Sequence, residues 1–304
     1  MVASIPFVRD INFEYGRCDR LSPLIRRVIA NNPGPFTYTG TGTYIIGEGE
    51  VAVIDPGPLL DEHIDAIMAA LGPNERITHI PITHTHSDHS PAAAPLKERT
   101  SALTCGFGAH GQKRSSDETV STHEEGIDGE FTPDVIMQDG DSISGAGWTL
   151  EAVHTPGHTS NHLCFALREE KALFSGDHVM GWSTSVIGPP DGNMQHYMAS
   201  LQRLLLRDDV IFWPTHGPPI TDPKNFVQAF IAHREEREAQ IMARLEAGDN
   251  LITDIVAALY QHVDKRLHGA AAYSVLAHME HLVAKQQVLC EDTRLGLKSH
   301  YRLP

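Results

Sequence analysis

One heptapeptide constrains this chain more than any other feature: Thr83-His84-Thr85-His86-Ser87-Asp88-His89. It puts four strong metal-ligand side chains within six residues, directly after Thr78 to Ile82, an apolar run that reads as a strand. Neutral imidazoles and carboxylates suit zinc and related divalent ions. In a loop the side chains need not alternate, so His84 and His86 can face one ion while Asp88 and His89 face a second. Three further segments repeat the placement after strand-like runs: His158 in Thr155-Pro156-Gly157-His158-Thr159, Asp177 in Ser175-Gly176-Asp177-His178, and His216 in Pro214-Thr215-His216-Gly217. Ligands set just beyond strand ends let a rigid sheet hold a site in place. The expected set is His84, His86, Asp88, His89, His158, Asp177 and His216, enough for two ions. The chain has 19 histidines, and others, such as His63, His196 and His233, read as surface or structural residues.

The surrounding pattern alternates strands and helices. Thr43 to Ile46 and Val51 to Asp55 read as strands joined by a Gly47-Glu48-Gly49-Glu50 hairpin turn. Leu60 to Leu71 reads as an amphipathic helix stopped by Gly72-Pro73. A short helix is expected from Pro91, with Ser90 as its N-cap and Pro95 inside it. Ser101 to Phe107, Trp148 to Val153, His162 to Leu167, Ala172 to Phe174 and Val210 to Trp213 are further strands, and Met194 to Leu206 is a helix. Residues 108–131 read as a long loop, either a solvated variable one or one lying over the site, where His110, Lys113, Arg114 and His123 could meet an anionic substrate. This is an α/β arrangement with helices covering sheets. Near Pro223 the pattern changes to three helical stretches, Asn225 to Ala247, Leu251 to Tyr260 and Ala270 to Lys285, and a hairpin between Val288 and Tyr301. The expected division is 1–222 and 223–304.

Charge narrows the function. The chain has 304 residues and a formal net charge of −15. A negative surface repels phosphate, which disfavours RNA as a partner. The candidate recognition helix, Ala270 to Lys285, has Lys285 as its one basic residue, so no DNA binding is expected. That unit reads instead as packing, a dimer contact or a wall of the substrate cleft, and a homo-oligomer is compatible with it. The four cysteines show no CxxC spacing and read as thiols. No apolar run reaches a membrane-spanning length, and the N-terminus shows no basic start followed by an apolar stretch, so a cytoplasmic protein without membrane contact is expected.

The His84-x-His86-x-Asp88-His89 motif, with TPGHT at 155–159, SGD at 175–177 and THG at 215–217, resembles the metallo-β-lactamase superfamily of hydrolases over about residues 35–220. The resemblance implies a four-layer αβ/βα sandwich with the metals at one edge. It implies His84, His86 and His158 at a first metal, Asp88, His89 and His216 at a second, and Asp177 bridging them. Asp55, in Val53-Ile54-Asp55-Pro56-Gly57, resembles the family's strand-end aspartate and would orient a ligand. The C-terminal unit resembles the winged-helix domain of the beta-lactamase-like protein 2 family, on Phe230 to Arg237 and Ala270 to Val288. Ser90-Pro91-Ala92 follows the Asp-His pair where many relatives have Gly-Gly.

The chemistry implied is hydrolysis of a small molecule. Two Zn²⁺ ions per chain lower the pKa of a bridging water and polarise the substrate oxygen, with Asp88 as the catalytic residue that orients the hydroxide and moves a proton. Iron or manganese would fit the same ligands. An ester, thioester, lactone or amide-type bond is the expected target, with β-lactam cleavage among them. The alternatives are a metal-dependent endoribonuclease or phosphodiesterase and, from another class, a mononuclear iron enzyme like the persulfide dioxygenases, which keep this motif. His162 reads as a buried, hydrogen-bonded histidine rather than a substrate contact, and Trp182 as either a core aromatic or a residue lining the cleft.

Overall fold

The computed structural model describes residues 5–109, 126–261 and 263–304. His110, Lys113, Arg114 and His123 lie outside the described residues.

Two mixed sheets face each other. In the first, β1 (Cys18–Arg20), β2 (Ile25–Ile29), β3 (Gly42–Ile46) and β4 (Glu50–Ile54) form an antiparallel meander. β5 (Arg76–Pro81), β6 (Leu103–Gly106) and β7 (Val135–Ile136) then join in parallel. Helices α1 (Asp61–Ala69) and α2 (Ala93–Thr100) provide the crossovers that parallel pairing requires. The second sheet pairs β8 (Ser142–Gly145), β9 (Trp148–His154), β10 (Leu163–Leu167) and β11 (Ala172–Gly176) antiparallel. β12 (Ile211–Pro214) returns parallel to β11 after helix α3 (Met194–Leu205).

Side-chain alternation sorts the layers. Tyr44, Ile46, Ile54, Phe165, Leu167 and Phe174 fill the space between the sheets. Ile45, Val51 and Val53 face the other way, onto Ile64 and Ile67 of α1 and Leu96 of α2. Cys164, Leu173 and Phe212 face out of the second sheet onto Leu201 of α3 and onto Phe226 and Phe230. Strands covered on both sides read as continuous apolar runs, which is why Val51-Ala52-Val53-Ile54 shows no polar alternation. The result is the expected αβ/βα order of four layers.

The C-terminal segment opens with α4 (Pro223–Glu246), capped by the Asp222 side chain with Pro223 in its first turn. α5 (Ile252–Leu259), α6 (His268–Ala284) and the antiparallel pair β13 (Leu289–Cys290) and β14 (Tyr301–Arg302) follow. Ile241, Leu245, Ile252, Ile255, Val275, Met279 and Leu282 form its core. The first half of α4 belongs elsewhere: Phe226, Val227, Phe230 and Ile231 pack in the core beneath the second sheet.

Several local expectations differ from what is found. β2 was hidden by Arg26 and Arg27, which are buried. Arg26 makes a two-pronged contact with Glu75, Nη1 to Oε2 at 2.8 Å and Nη2 to Oε1 at 2.9 Å. Ser90 does not cap α2: the helix begins at Ala93 after Ala92, and the Ser90 hydroxyl donates to Asp128 Oδ2 at 2.7 Å. Pro95 falls in the first turn of α2, where its missing N–H has no helical partner to lose. The end of the expected long loop, residues 126–131, returns to the histidine motif, with Ser87 N–H donating to Gly126 O and Asp128 N–H to Thr85 O. Among the described residues no helix is long and apolar enough to cross a membrane.

Candidate metal centre

All seven expected ligands come from the same edge of the sandwich. The loop after β5 carries His84, His86, Asp88 and His89; the turns after β9, β11 and β12 carry His158, Asp177 and His216. All seven are buried. His84 Nε2 lies 2.9 Å from His86 Nδ1, and His158 Nε2 lies 3.2 Å from that same Nδ1. Nitrogens bound at zinc–imidazole distances around a tetrahedral ion stand about 3.3 Å apart, so these are the edges of a ligand shell. The second group sits beside it: His216 Nε2 is 3.0 Å and His89 Nε2 3.5 Å from Asp88 Oδ2. Asp177 stands between the groups, with Oδ2 3.6 Å from His89 Nε2 and 3.9 Å from His158 Nε2, and Oδ1 3.5 Å from His216 Nε2.

The donor set fits divalent ions on one structural ground above the others. Asp88 Oδ1 and Oδ2, His89 Nε2, Asp177 Oδ1 and His216 Nε2 are buried and make no hydrogen bond. Buried polar atoms are nearly always paired. Five unpaired ones converging on one spot leave the carboxylates and imidazole lone pairs aimed at a cation.

Hydrogen bonds on the far side of each ring set which nitrogen points inward. His158 Nδ1 meets Val186 O at 2.6 Å and His216 Nδ1 meets Gly40 O at 3.1 Å. A carbonyl accepts only from N–H, so on the neutral ring the proton sits on Nδ1 and the lone pair on the inward Nε2. His89 Nδ1 meets Asp55 Oδ2 at 2.9 Å to the same effect. Asp55 is fully buried, with a left-handed φ of 48°, and also accepts from Thr83 N–H, Thr83 Oγ1 and Thr215 Oγ1 at 2.8, 2.7 and 3.0 Å. It thereby ties together the loops after β5 and β12.

The electrostatics divide the site. Burial and the neighbouring rings of His89 and His86 hold His84 well below the usual imidazole range, and burial brings His86 down to about 4. Those rings are neutral near pH 7, as ligation requires. Burial also opposes charge on His216 and His89. There Asp177 and Asp88 outweigh it, pushing His216 up to about 9 and His89 well up. Burial works against the charge on Asp88, but His89 and His216 overcome it and hold the carboxyl at about 2. The Asp88 and Asp177 carboxylates make this half of the site favour positive charge.

His162 is a structural histidine: its Nδ1 meets Thr155 Oγ1 at 2.9 Å, and its Nε2 accepts from Asp177 N–H at 3.2 Å. Gly176 makes room for that ring, since a Cβ there would lie 2.5 Å from His162 Nε2. Trp182 stacks on Tyr38 at 4.8 Å between ring centres and presses on Gly217, the residue after His216. His63, His196 and His233 take no part in the ligand groups. The sequence reading missed Thr83, Thr215 and Ser185. For the threonines a signal existed, since each directly precedes a ligand histidine. For Ser185 no local pattern marks the residue.

A buried cluster of histidines and aspartates at one edge of a four-layer αβ/βα sandwich defines a class of metal-dependent enzymes. Residues 38–216 match the family model of the metallo-beta-lactamase superfamily, and residues 252–295 that of the beta-lactamase associated winged helix domain. The chain is 32% identical to a beta-lactamase-like protein 2 homolog from Caenorhabditis elegans over 278 residues, 90% of this chain and 86% of that one. It is also 32% identical to the atrochrysone carboxyl ACP thioesterase dmxR1 of Cryptosporiopsis sp. (strain 8999) over 249 residues, 80% of this chain and 67% of that one. A beta-lactamase domain protein from Burkholderia ambifaria superposes with a TM-score of 0.79 at 18% identity, covering 97% of this chain and 96% of that one. The chain belongs to the metallo-β-lactamase superfamily. It is an enzyme of the hydrolase type, with a C-terminal winged-helix domain and a His/Asp cluster suited to a divalent metal.

Proposed function

We propose that this enzyme is a dinuclear zinc hydrolase of small molecules bearing an activated carbonyl, with a thioester as the favoured bond among thioesters, esters, lactones and amides. The single observation that carries the dinuclear reading is the position of Asp177, whose two oxygens face the two histidine groups at 3.5–3.9 Å. His84, His86 and His158 would hold one ion, Asp88, His89 and His216 the other, and Asp177 both. When bound, the ions acidify a water and polarise the scissile carbonyl. Asp88 is the residue placed to hold and move the proton, because Oδ1 has no hydrogen-bond partner and its carboxyl stays ionised near pH 7. Asp55 keeps His89 turned inward through the cycle.

The thioester preference draws on the thioesterase names of relatives such as dmxR1; the metal groups alone serve every bond in the set. The winged-helix domain, with α6 carrying little basic charge, is read as packing for the catalytic domain, with no DNA partner. The proposed division is 1–222 and 223–304, with the first half of α4 packed against the first unit. The test is a turnover panel on metal-analysed protein, comparing an acyl thioester, a lactone, a β-lactam, a phosphodiester and a short RNA. Two zinc ions per chain and fastest turnover of the thioester are expected. Turnover confined to RNA or the phosphodiester, or one iron per chain with oxygen-dependent activity on a persulfide, overturns the proposal.

A further inference from the structure

We infer that Arg234, a residue of α4 outside the catalytic sheets, is a positioning residue that braces the metal centre from the C-terminal side. The inference rests on reading the histidine–aspartate cluster as a metal site. The chain of contacts is short. Arg234 Nη2 donates to the carbonyl of Ser185 at 2.6 Å. The Ser185 hydroxyl faces the carbonyls of Asp177 and His178, at 2.6 and 2.8 Å. The next carbonyl, Val186 O, receives His158 Nδ1–H at 2.6 Å. One turn, residues 185–186, thus fixes the backbone of the bridging aspartate and the ring of a histidine in the first group. Arg234 holds that turn from behind. Tyr197 supports the same point: its hydroxyl donates to His178 O at 2.8 Å, and the Arg234 guanidinium lies 5.2 Å from its ring centre.

Packing alone does not account for an arginine here. Arg234 is 4% exposed, its Nε has no hydrogen-bond partner, and no carboxylate pairs with it among the described residues. Burying an uncompensated guanidinium is strongly unfavourable, and a leucine or methionine would occupy the space without that cost. What the arginine adds is a long, directional donor that reaches the metal-bearing turn. One helical turn further along α4, Glu238 anchors the helix to α6, with Oε1 2.6 Å from His281 Nδ1 and Oε2 3.2 Å from Lys285 Nζ. The C-terminal domain is therefore fastened to α4, and α4 to the ligands.

The test is Arg234→Met, with zinc affinity measured by competition against a chromophoric chelator and ligand geometry read from the absorption bands of the cobalt-substituted protein. Loss of a residue that orients ligands costs about 10–100-fold in metal affinity, and that fall, with altered cobalt bands, is expected. Arg234→Lys, which keeps a donor, restores part of it. Arg237→Met, which removes an α4 arginine that lies 4.5 Å over the Tyr260 ring instead, leaves zinc affinity at the wild-type value. Coupling is reciprocal, so hydrogen exchange on the wild-type chain gives a measurement independent of how any variant folds. Stripping the metal must speed exchange in the first half of α4 while α1 stays protected. Wild-type zinc affinity with unchanged cobalt bands in Arg234→Met, or α4 exchange unaffected by the metal, overturns the inference. A wild-type chain that takes up no divalent metal overturns the reading of the centre itself.

Discussion

Asp55→Asn isolates the support of the metal site from its ligands. The substitution keeps the side-chain shape, and asparagine tolerates the left-handed backbone at this position better than most residues do. It changes the hydrogen-bonding arithmetic. Oδ2 accepts from Thr83 Oγ1, His89 Nδ1 and Thr215 Oγ1, while Oδ1 accepts from the Thr83 N–H. An amide has one acceptor oxygen, so its best orientation gives that oxygen to the three donors and turns its NH₂ toward the Thr83 N–H. That leaves the Thr83 N–H and both amide N–H groups buried without an acceptor, the first alone at about 1–3 kcal/mol. Three charge-assisted bonds also become neutral ones, each weaker by about 1 kcal/mol. Relief from burying a carboxylate returns part of this, and the net loss of stability is about 3 kcal/mol. With His89 no longer held by a charge, metal affinity falls about 10–100-fold. Urea unfolding of the metal-free protein gives the first quantity and chelator competition the second. Stability within 1 kcal/mol of wild type, together with unchanged metal affinity, would refute the role given to Asp55.

Asp88→Ala lowers kcat/KM on the best panel substrate by about 10²–10⁴ and takes the second ion with it, while circular dichroism stays that of the wild type; near-normal turnover in a folded, metal-depleted variant rules out this assignment. Acid destabilises the metal-free fold through His63, which burial holds down at about 4. A depressed histidine binds its proton more readily when unfolded, so stability is lost as pH falls from 6.5, by about 3 kcal/mol at pH 4 from this group. His63→Gln flattens that part of a calorimetric pH series, and an unchanged profile counts against the argument. Gly176→Ala puts a methyl group 2.5 Å from His162 Nε2 and 3.1 Å from Thr83 Cβ on a backbone with φ 52°. A loss of about 3 kcal/mol or more in denaturant unfolding follows, and a variant as stable as wild type contradicts it.

What could be read from the sequence was whatever repeats along the chain at short range. The His84–His89 motif carries its own spacing, and His158, Asp177 and His216 each follow a strand by a few residues. All seven therefore came together where expected. Val51 to Asp55 and Met194 to Leu206 were legible because burial on both faces, or on one helical stripe, leaves a periodic trace. The failures were residues whose partner is distant in sequence. Arg26 looks like a surface residue until Glu75, 49 positions away, is seen beside it. The Ser90 hydroxyl is claimed by Asp128 instead of by the helix it precedes. Arg234 is one of several charged residues in a helical repeat, and nothing in that repeat points to Ser185.

The double allegiance of α4 governs how the chain comes apart. Phe226 and Phe230 sit with Leu201 and Phe212 under the catalytic sheet, and Phe7 meets both rings edge-on, 6.3 and 6.4 Å between centres. Ile241 and Leu245 of the same rigid rod sit in the other core. Neither family model covers this helix, since one ends at residue 216 and the other begins at 252. The inherited modules and the cooperative unit thus have different borders. A chain cut at 222 would expose an aromatic floor, and a chain begun at 252 would lack the rod its core is built on. Heat or denaturant should therefore melt the two modules in a single transition.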